Sequence, residues 1–148
     1  MAFSSVHEMI DLCKESGKPL YEVILESDLA ESGLTRAESE AEMHRLWAVM
    51  QATSDGYCGA DRSMSGFAGG DAAKVNAAAA RGVLYADGYF ADVMAEALKT
   101  AECNACMKRI VAAPTAGSCG VLPAVLLPLA RAGQADEDAV CDALYVAA

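Results

Sequence analysis

Apolar residues recur along this chain with the three- and four-residue spacing of amphipathic helices, and no segment alternates long enough to build a sheet. Two capping-box patterns, Ser5-Val-His-Glu8 and Thr35-Arg-Ala-Glu38, indicate where helices begin, and glycine or proline indicates where they end. Residues 107–112 are compatible with a short helix or with an extended approach to the following loop. The pattern predicts longer helices between Ser5 and Gly17, over about 20–30, from 35 to at least 50, and over 71–81, 88–105, 121–130 and 136–146.

This succession of helices predicts an all-α fold, a single helical bundle-like domain with two glycine-rich loops at its functional end. The composition agrees, because 54% of the residues are hydrophobic but only 6% are aromatic, and the abundant alanine favours helices over strands. A chain of 148 residues is long enough to bury one core. The last predicted helix runs to the end of the sequence without a cap, so we expect this chain to be a piece of something longer.

The balance of charges restricts the partners. The formal net charge is −10, from 21 acidic and 11 basic residues, which leaves no basic stripe for nucleic acid or an anionic membrane. No apolar run reaches the roughly 18–20 residues of a membrane span, and no secretory signal is visible. Six cysteines in a chain that shows no need of disulfides favour a reducing location, and we expect the cytoplasm.

Two glycine-rich segments interrupt the helical pattern, SGFAGGDAAK at residues 65–74 and APTAGSCGVLPA at residues 113–124. Glycine permits positive φ and close approach of the backbone, and the free N–H groups at a helix start suit a carboxylate or another anion. Neither segment has the spacing of a P-loop or a dinucleotide fingerprint. In the first segment, Asp71 could instead charge-complement its own helix, and Lys74 could be a solvated surface residue.

The cysteines differ in their surroundings. Cys119 lies on a glycine-flanked turn that we expect to be exposed, where backbone N–H groups can stabilise a thiolate, and it is a candidate ligand or nucleophile. Cys103 and Cys106 have C-x-x-C spacing, which suits half a zinc site, a redox pair, or simply small residues of an alanine-rich helix. The other three cysteines are interpreted as core or helix-face residues. Both histidines lie far from the glycine loops, so no Cys/His or Ser/His/Asp set is indicated.

Residues 65–74 and residues 107–120, MKRIVAAPTAGSCG, resemble the two signature segments of the iron–sulfur-dependent L-serine dehydratase alpha chain. The segments SVHEMI and YEVIL near the N-terminus resemble the start of that chain, and the similarity extends over nearly all of the sequence. It implies that residues 1–148 are the N-terminal part of the alpha-chain catalytic domain. It also implies deamination of L-serine to pyruvate and ammonia without pyridoxal phosphate, on a [4Fe–4S] cluster whose open iron acts as a Lewis acid on the substrate hydroxyl.

The resemblance assigns roles to particular residues. Cys119 matches the first of the three cluster cysteines, and the other two belong to a downstream segment that this chain lacks. Asp71 and Lys74 are the candidate catalytic residues because they are the ionisable groups closest to a glycine loop. We therefore expect a fragment that is inactive alone, that needs a beta chain or beta domain, and that forms a homo-oligomer. The candidate substrate-binding residues are Ser65, Gly69, Gly70, Thr115 and Ser118.

The sequence departs from the family pattern at three positions. Phe67 replaces a leucine, Ala68 replaces a threonine whose hydroxyl could touch substrate, and Lys108 replaces a glycine. Three alternatives stay open: a related lyase such as a cysteine desulfidase, a helical zinc-binding or regulatory module that uses both C-x-x-C cysteines with Cys119, and an interaction domain whose loops bind nothing.

Overall fold

The computed structural model describes residues 5–84 and 88–147, and these residues form seven α-helices, one short 3₁₀ turn and no strand. The prediction of an all-α fold is confirmed. Within the described part of the chain, no helix combines the length and the apolar character that crossing a membrane requires. The helices are α1 (Val6–Ser16), α2 (Leu20–Ser32), α3 (Arg36–Asp55), α4 (Asp71–Ala80), α5 (Gly88–Ala105), α6 (Val121–Arg131) and α7 (Glu137–Ala147).

The predicted helix starts are made by the expected capping contacts. Ser5 Oγ accepts a hydrogen bond from the Glu8 N–H at 3.2 Å. At the start of α3, the Glu38 carboxylate accepts the Thr35 N–H at 2.8 Å while Thr35 Oγ1 accepts the Glu38 N–H at 3.3 Å. The capping box therefore satisfies two N–H groups that have no partner within the helix.

The segment 107–112 is not helical, so the short helix that the sequence left open is not formed there. Helix α5 ends in a Schellman-type motif, in which the Lys108 N–H donates to the Cys103 carbonyl at 2.9 Å and Met107 adopts a left-handed φ of 60°. Glycine is the usual residue at that position, because a side chain disfavours positive φ. This reversal directs the chain away from the helix axis.

The chain divides into two compact units, and the first combines residues 1–45 with residues 137–148. In this unit α2 packs against α1 and α7. Its core contains Leu25 and Val140, each 1% exposed, and a buried hydrogen bond of 2.9 Å joins the hydroxyls of Ser39 and Tyr145. Apolar burial and one satisfied polar pair hold the unit together.

The second unit, residues 46–136, is built around α5, which packs against both α4 and α6. Small side chains such as Ala91 and Ala95 are buried on α5 and allow close packing. Glu96 is also buried, and its carboxylate accepts hydrogen bonds from Ser54, Lys99 and Arg131. Burial alone would raise the pKa of Glu96, but these bonds and charges hold that pKa below its ordinary value. Because both candidate loops lead into helices that pack on α5, this helix positions them.

Candidate active site

The first glycine loop joins α3 to α4 and is closely packed where α4 begins. Gly69 has φ 126° and Gly70 has φ 89°, conformations that disfavour any side chain. A Cβ on Gly69 would lie 2.2 Å from the Asp61 carbonyl oxygen, and one on Gly70 would lie 3.0 Å from the Arg62 guanidinium. Both glycines are therefore required by backbone conformation, and at Gly69 the space beside the Asp61 carbonyl also excludes a side chain.

A buried carboxylate from α5 occupies the start of α4. Glu102 is 6% exposed, and it accepts hydrogen bonds from three successive N–H groups, those of Gly70 at 3.0 Å, Asp71 at 2.6 Å and Ala72 at 3.3 Å. The Tyr57 hydroxyl donates a fourth bond at 2.6 Å. The negative charge compensates the positive end of the helix dipole and satisfies donors that the helix leaves free. The anion that this helix start holds in the structure is thus one of the chain's own side chains.

Tyr57 and Glu102 act as a donor–acceptor pair. Burial, together with the hydrogen bond to Glu102, raises the pKa of Tyr57 to about 12. The phenol therefore stays protonated at neutral pH and keeps donating to the carboxylate. Glu102 was not among the predicted site residues. The sequence does carry a signal for this residue. Glu102 lies eleven positions after Ala91 and seven after Ala95, which places a charged side chain on the same buried face of α5 as these two alanines.

The candidate catalytic residues lie together on the surface of α4. Lys74 Nζ is 2.7 Å from the Asp71 carboxylate, with the two side chains 76% and 57% exposed. The hydrogen bond from Lys74, and then its charge, lower the pKa of Asp71. A lowered pKa makes Asp71 a weaker base, and an exposed ion pair of this kind contributes little stability.

Ser65 lies at the tip of the first loop. A hydrogen bond of 2.9 Å from the Ser63 N–H to the Ala68 carbonyl closes the turn, and the hydroxyls of Ser63 and Ser65 are 3.1 Å apart. The side chains of Met64 and Phe67 are 98% and 95% exposed. The leucine-to-phenylalanine departure therefore affects a solvent-facing position of this chain.

The second loop is ordered by its own hydroxyls and by α5. Thr115 caps the 3₁₀ turn Ala116–Ser118, because its Oγ1 accepts the Ser118 N–H at 3.3 Å and lies 2.9 Å from the Ser118 hydroxyl. The Asn104 side-chain amide donates to the Ala116 carbonyl at 2.9 Å. The two candidate hydroxyls are thus paired with each other, and the loop is tied to the last turn of α5.

Cys119 follows the 3₁₀ turn and is only 2% exposed. Burial raises the pKa of its thiol. The next residue, Gly120, packs so closely on α5 that a Cβ there would lie 2.7 Å from the Ala97 carbonyl oxygen. The turn was expected to be exposed, but the close packing of Gly120 on α5 leaves the Cys119 thiol almost no contact with solvent.

Thr100 has the one buried side-chain oxygen without a hydrogen-bond partner among residues 5–84 and 88–147. It is 2% exposed and lies three residues after Ala97 and four before Asn104, so these three residues share the face of α5 that contacts the second loop. A buried hydroxyl left unpaired costs about 1–3 kcal/mol. An unsatisfied buried donor therefore lies on the same side of α5 as the two residues that contact the loop of Cys119.

The final turn of α5 fastens both loops, because Glu102 holds the first and Asn104, two residues later and so on a different side of the helix, holds the second. It does not assemble a metal site: the described residues contain no group of three cysteine, histidine or carboxylate side chains placed to hold one ion. Cys103 and Cys106 instead line a depression that does not include Cys119. The set of three cysteines considered for zinc is therefore not formed.

The sequence is similar to a family of known proteins. The family model described as the serine dehydratase alpha chain matches residues 15–148. The L-serine dehydratase alpha chain of Peptoniphilus asaccharolyticus is 34% identical over 125 residues, which cover 84% of this chain and 43% of that protein. The probable L-serine dehydratase alpha chain of Bacillus subtilis (strain 168) is 32% identical over 124 residues, covering 84% and 41%. No solved structure matches the chain. The chain thus spans about two-fifths of the length of these curated relatives.

Proposed function

Because this chain belongs to the serine dehydratase alpha-chain family, we propose that it forms part of an iron–sulfur enzyme that converts L-serine to pyruvate and ammonia. One observation of the structure carries the proposal. The two segments that resemble the family's signatures are both fastened to the final turn of α5, by Glu102 and by Asn104. Residues 70–72 and Ala116, at least 44 positions apart in the sequence, are thereby fixed to the last turn of one helix.

The surroundings of Cys119 suit one corner of a [4Fe–4S] cluster. The thiol is buried in a glycine-flanked loop, and the unpaired Thr100 hydroxyl on the facing side of α5 is a donor of the kind that tunes cluster sulfur. The described residues offer no second and third ligand beside it, so we assign those to the part of the relatives that this chain does not cover. Such a cluster, when bound, supplies an open iron that polarises a substrate hydroxyl.

The residues of this chain have mainly a positioning role in the proposed reaction. Glu102 and Tyr57 fix the start of α4, where Gly69 and Gly70 shape the backbone beside the pocket. Thr115 and Ser118 present a paired set of hydroxyls that can bind substrate or cluster sulfur. Ser65 contributes from the tip of the first loop.

Asp71 and Lys74 remain the proposed proton-transfer residues of this chain. Both are exposed here, and a base acts efficiently only when its pKa lies near the working pH and it reaches the proton it removes. In the active assembly, another part of the enzyme would therefore have to cover this ion pair. We propose that the assembly includes the remaining alpha-chain sequence, a beta chain or beta domain, and more than one copy, and that it works in the cytoplasm.

The test is pyruvate formation from L-serine. The chain is combined with the segment and the beta partner that its relatives possess, and the mixture is reconstituted anaerobically with iron and sulfide. Cys119→Ser is expected to abolish activity, whereas Cys13→Ser, a matched change in the first compact unit, should retain it. Equal activity in the two variants would contradict the assignment of Cys119. A preference for L-cysteine over L-serine would favour the related desulfidase.

A further inference from the structure

Three cysteines that have no part in the proposed reaction line one depression, beside Tyr57, Gly69 and Glu102 of the first loop's contacts. Cys58 follows α3, whereas Cys103 lies in the last turn of α5 and Cys106 directly after it. Their side chains line a shallow depression together with the Lys108–Asp61 ion pair. All six cysteines of the chain are free thiols in the structure. The sequence alone left this C-x-x-C pair open between metal binding, redox chemistry and plain packing.

The backbone places Cys103 and Cys106 at a separation that a disulfide can span. The Cys106 N–H donates to the Glu102 carbonyl at 2.9 Å, so the helical turn continues through Cys106. Residues three apart in such a turn have Cα atoms about 5 Å apart, within the usual range of about 4.4–6.8 Å for a disulfide. Their Cβ atoms, about 5–6 Å apart in a helix, would have to approach to about 4 Å. Because α5 ends at Ala105, the final turn can tighten without breaking a continuing helix.

The two thiols differ in access and in charge environment. Cys103 is 3% exposed, and its Sγ donates to the Thr53 carbonyl at 3.8 Å. Burial raises the pKa of Cys103, while the ammonium of Lys108 opposes that increase. Cys106 is only partly buried, so a small soluble oxidant reaches it first. The ammonium of Lys108 stabilises thiolate character in Cys103 when that thiol reacts.

We propose that Cys103 and Cys106 form a redox pair that small hydroperoxides oxidise to a disulfide. The Cys106 thiolate attacks the peroxide, the O–O bond breaks, and the products are a sulfenic acid at Cys106 and, after proton uptake, an alcohol or water. The Cys103 sulfur then attacks the sulfenic sulfur, loses its proton, and displaces hydroxide, which leaves as water. The two thiols together lose two electrons and the peroxide gains them. A disulfide closed in a tightened turn is readily reduced by thiols.

The test uses the 148-residue chain, purified anaerobically and treated with hydrogen peroxide at about one equivalent before N-ethylmaleimide blocks the remaining thiols. Trypsin cleaves after Lys99 and Lys108, so both cysteines fall in one peptide, Thr100–Lys108. We expect this peptide to be two hydrogens lighter and to carry no maleimide. Dithiothreitol given before the maleimide should restore two labelled cysteines.

Three variants decide the assignment. Cys106→Ser should abolish the intrapeptide bond, whereas Cys58→Ser and Cys141→Ser should leave it intact. A cross-link between Thr100–Lys108 and the peptide Leu46–Arg62, which carries Cys58, would overturn the proposed pairing. Two maleimide-labelled cysteines after peroxide treatment, or sulfonic acid at Cys106 without a disulfide, would overturn the redox role.

Discussion

Glu102→Gln tests the contact on which the first loop depends. The substitution keeps the size of the side chain and removes its charge. The carboxylate now accepts four hydrogen bonds, three from successive N–H groups and one from Tyr57. A glutamine amide has one oxygen for these four donors, and its NH₂ group would face at least one of them.

The magnitude follows from these contacts. Hydrogen bonds to a charged group contribute about 1.5–3 kcal/mol each, and a buried donor left unpaired costs about 1–3 kcal/mol. Loss of the charge also removes an interaction of about 0.3–2 kcal/mol with the helix dipole. Because a relaxed glutamine recovers part of this, we expect the free energy of unfolding to fall by about 3–4 kcal/mol, a large fraction of the roughly 5–15 kcal/mol of a small domain.

The assay is urea unfolding followed by helical circular dichroism, together with hydrogen exchange of the amides of Gly70, Asp71 and Ala72. In the variant these three amides should exchange much faster than in the parent chain. Glu40→Gln is the matched control, because Glu40 makes only an exposed ion pair with Arg36 and should change stability by less than about 1 kcal/mol. A loss below about 1 kcal/mol for Glu102→Gln, with the three amides still protected, would refute the assigned role.

The remaining predictions concern the same unit. Thr100→Val should raise the free energy of unfolding by about 1 kcal/mol, because it removes an unpaired hydroxyl. The control, Thr53→Val, removes hydrogen bonds to the carbonyls of Val49 and Arg109 and should lower the free energy of unfolding. If urea titrations show equal losses of stability for the two variants, the Thr100 hydroxyl has a partner. Gly69→Ala should lower the free energy of unfolding by more than about 2 kcal/mol. Gly17→Ala should cost only about 1 kcal/mol, because Gly17 has open space around it and only its positive φ disfavours alanine. Similar losses in the two variants would contradict the close packing around Gly69. The pKa of Tyr57 is raised from 10.0 to about 12, so the folded state holds this proton more tightly than the unfolded state. Stability should therefore fall between about pH 10 and 12, and by less in Tyr57→Phe; an identical fall in the variant would argue against the shift.

Much of the secondary structure could be predicted because its causes are local. The capping boxes at Ser5 and Thr35 and the left-handed glycines at 17 and 33 act within four residues of themselves, so they are legible in the sequence. The segment 107–112 was ambiguous for the same reason: its methionine, lysine and arginine suit a helix, but the chain reversal at Met107 depends on hydrogen bonds that composition does not record.

The candidate site was only partly legible. Its glycine loops and Cys119 stand out because few other roles explain those residue types at a helix start. Their actual partners could not be predicted, because Glu102 meets Gly70 across 32 residues and Asn104 meets Ala116 across 12. Whether the start of α4 holds an external anion or an internal carboxylate is decided by which face of α5 packs against it.

By itself, the sequence determined most of the helix boundaries, which loops carry glycine and thiol, and which family the chain resembles, because these depend on residue type and short-range spacing. Only the tertiary structure decided that Glu102 fills the start of α4, that the Thr100 hydroxyl is buried without a partner, and that Cys58, Cys103 and Cys106 share one depression. Each of these depends on how α5 packs against its neighbours, and packing joins residues whose separation along the chain leaves no periodic signal.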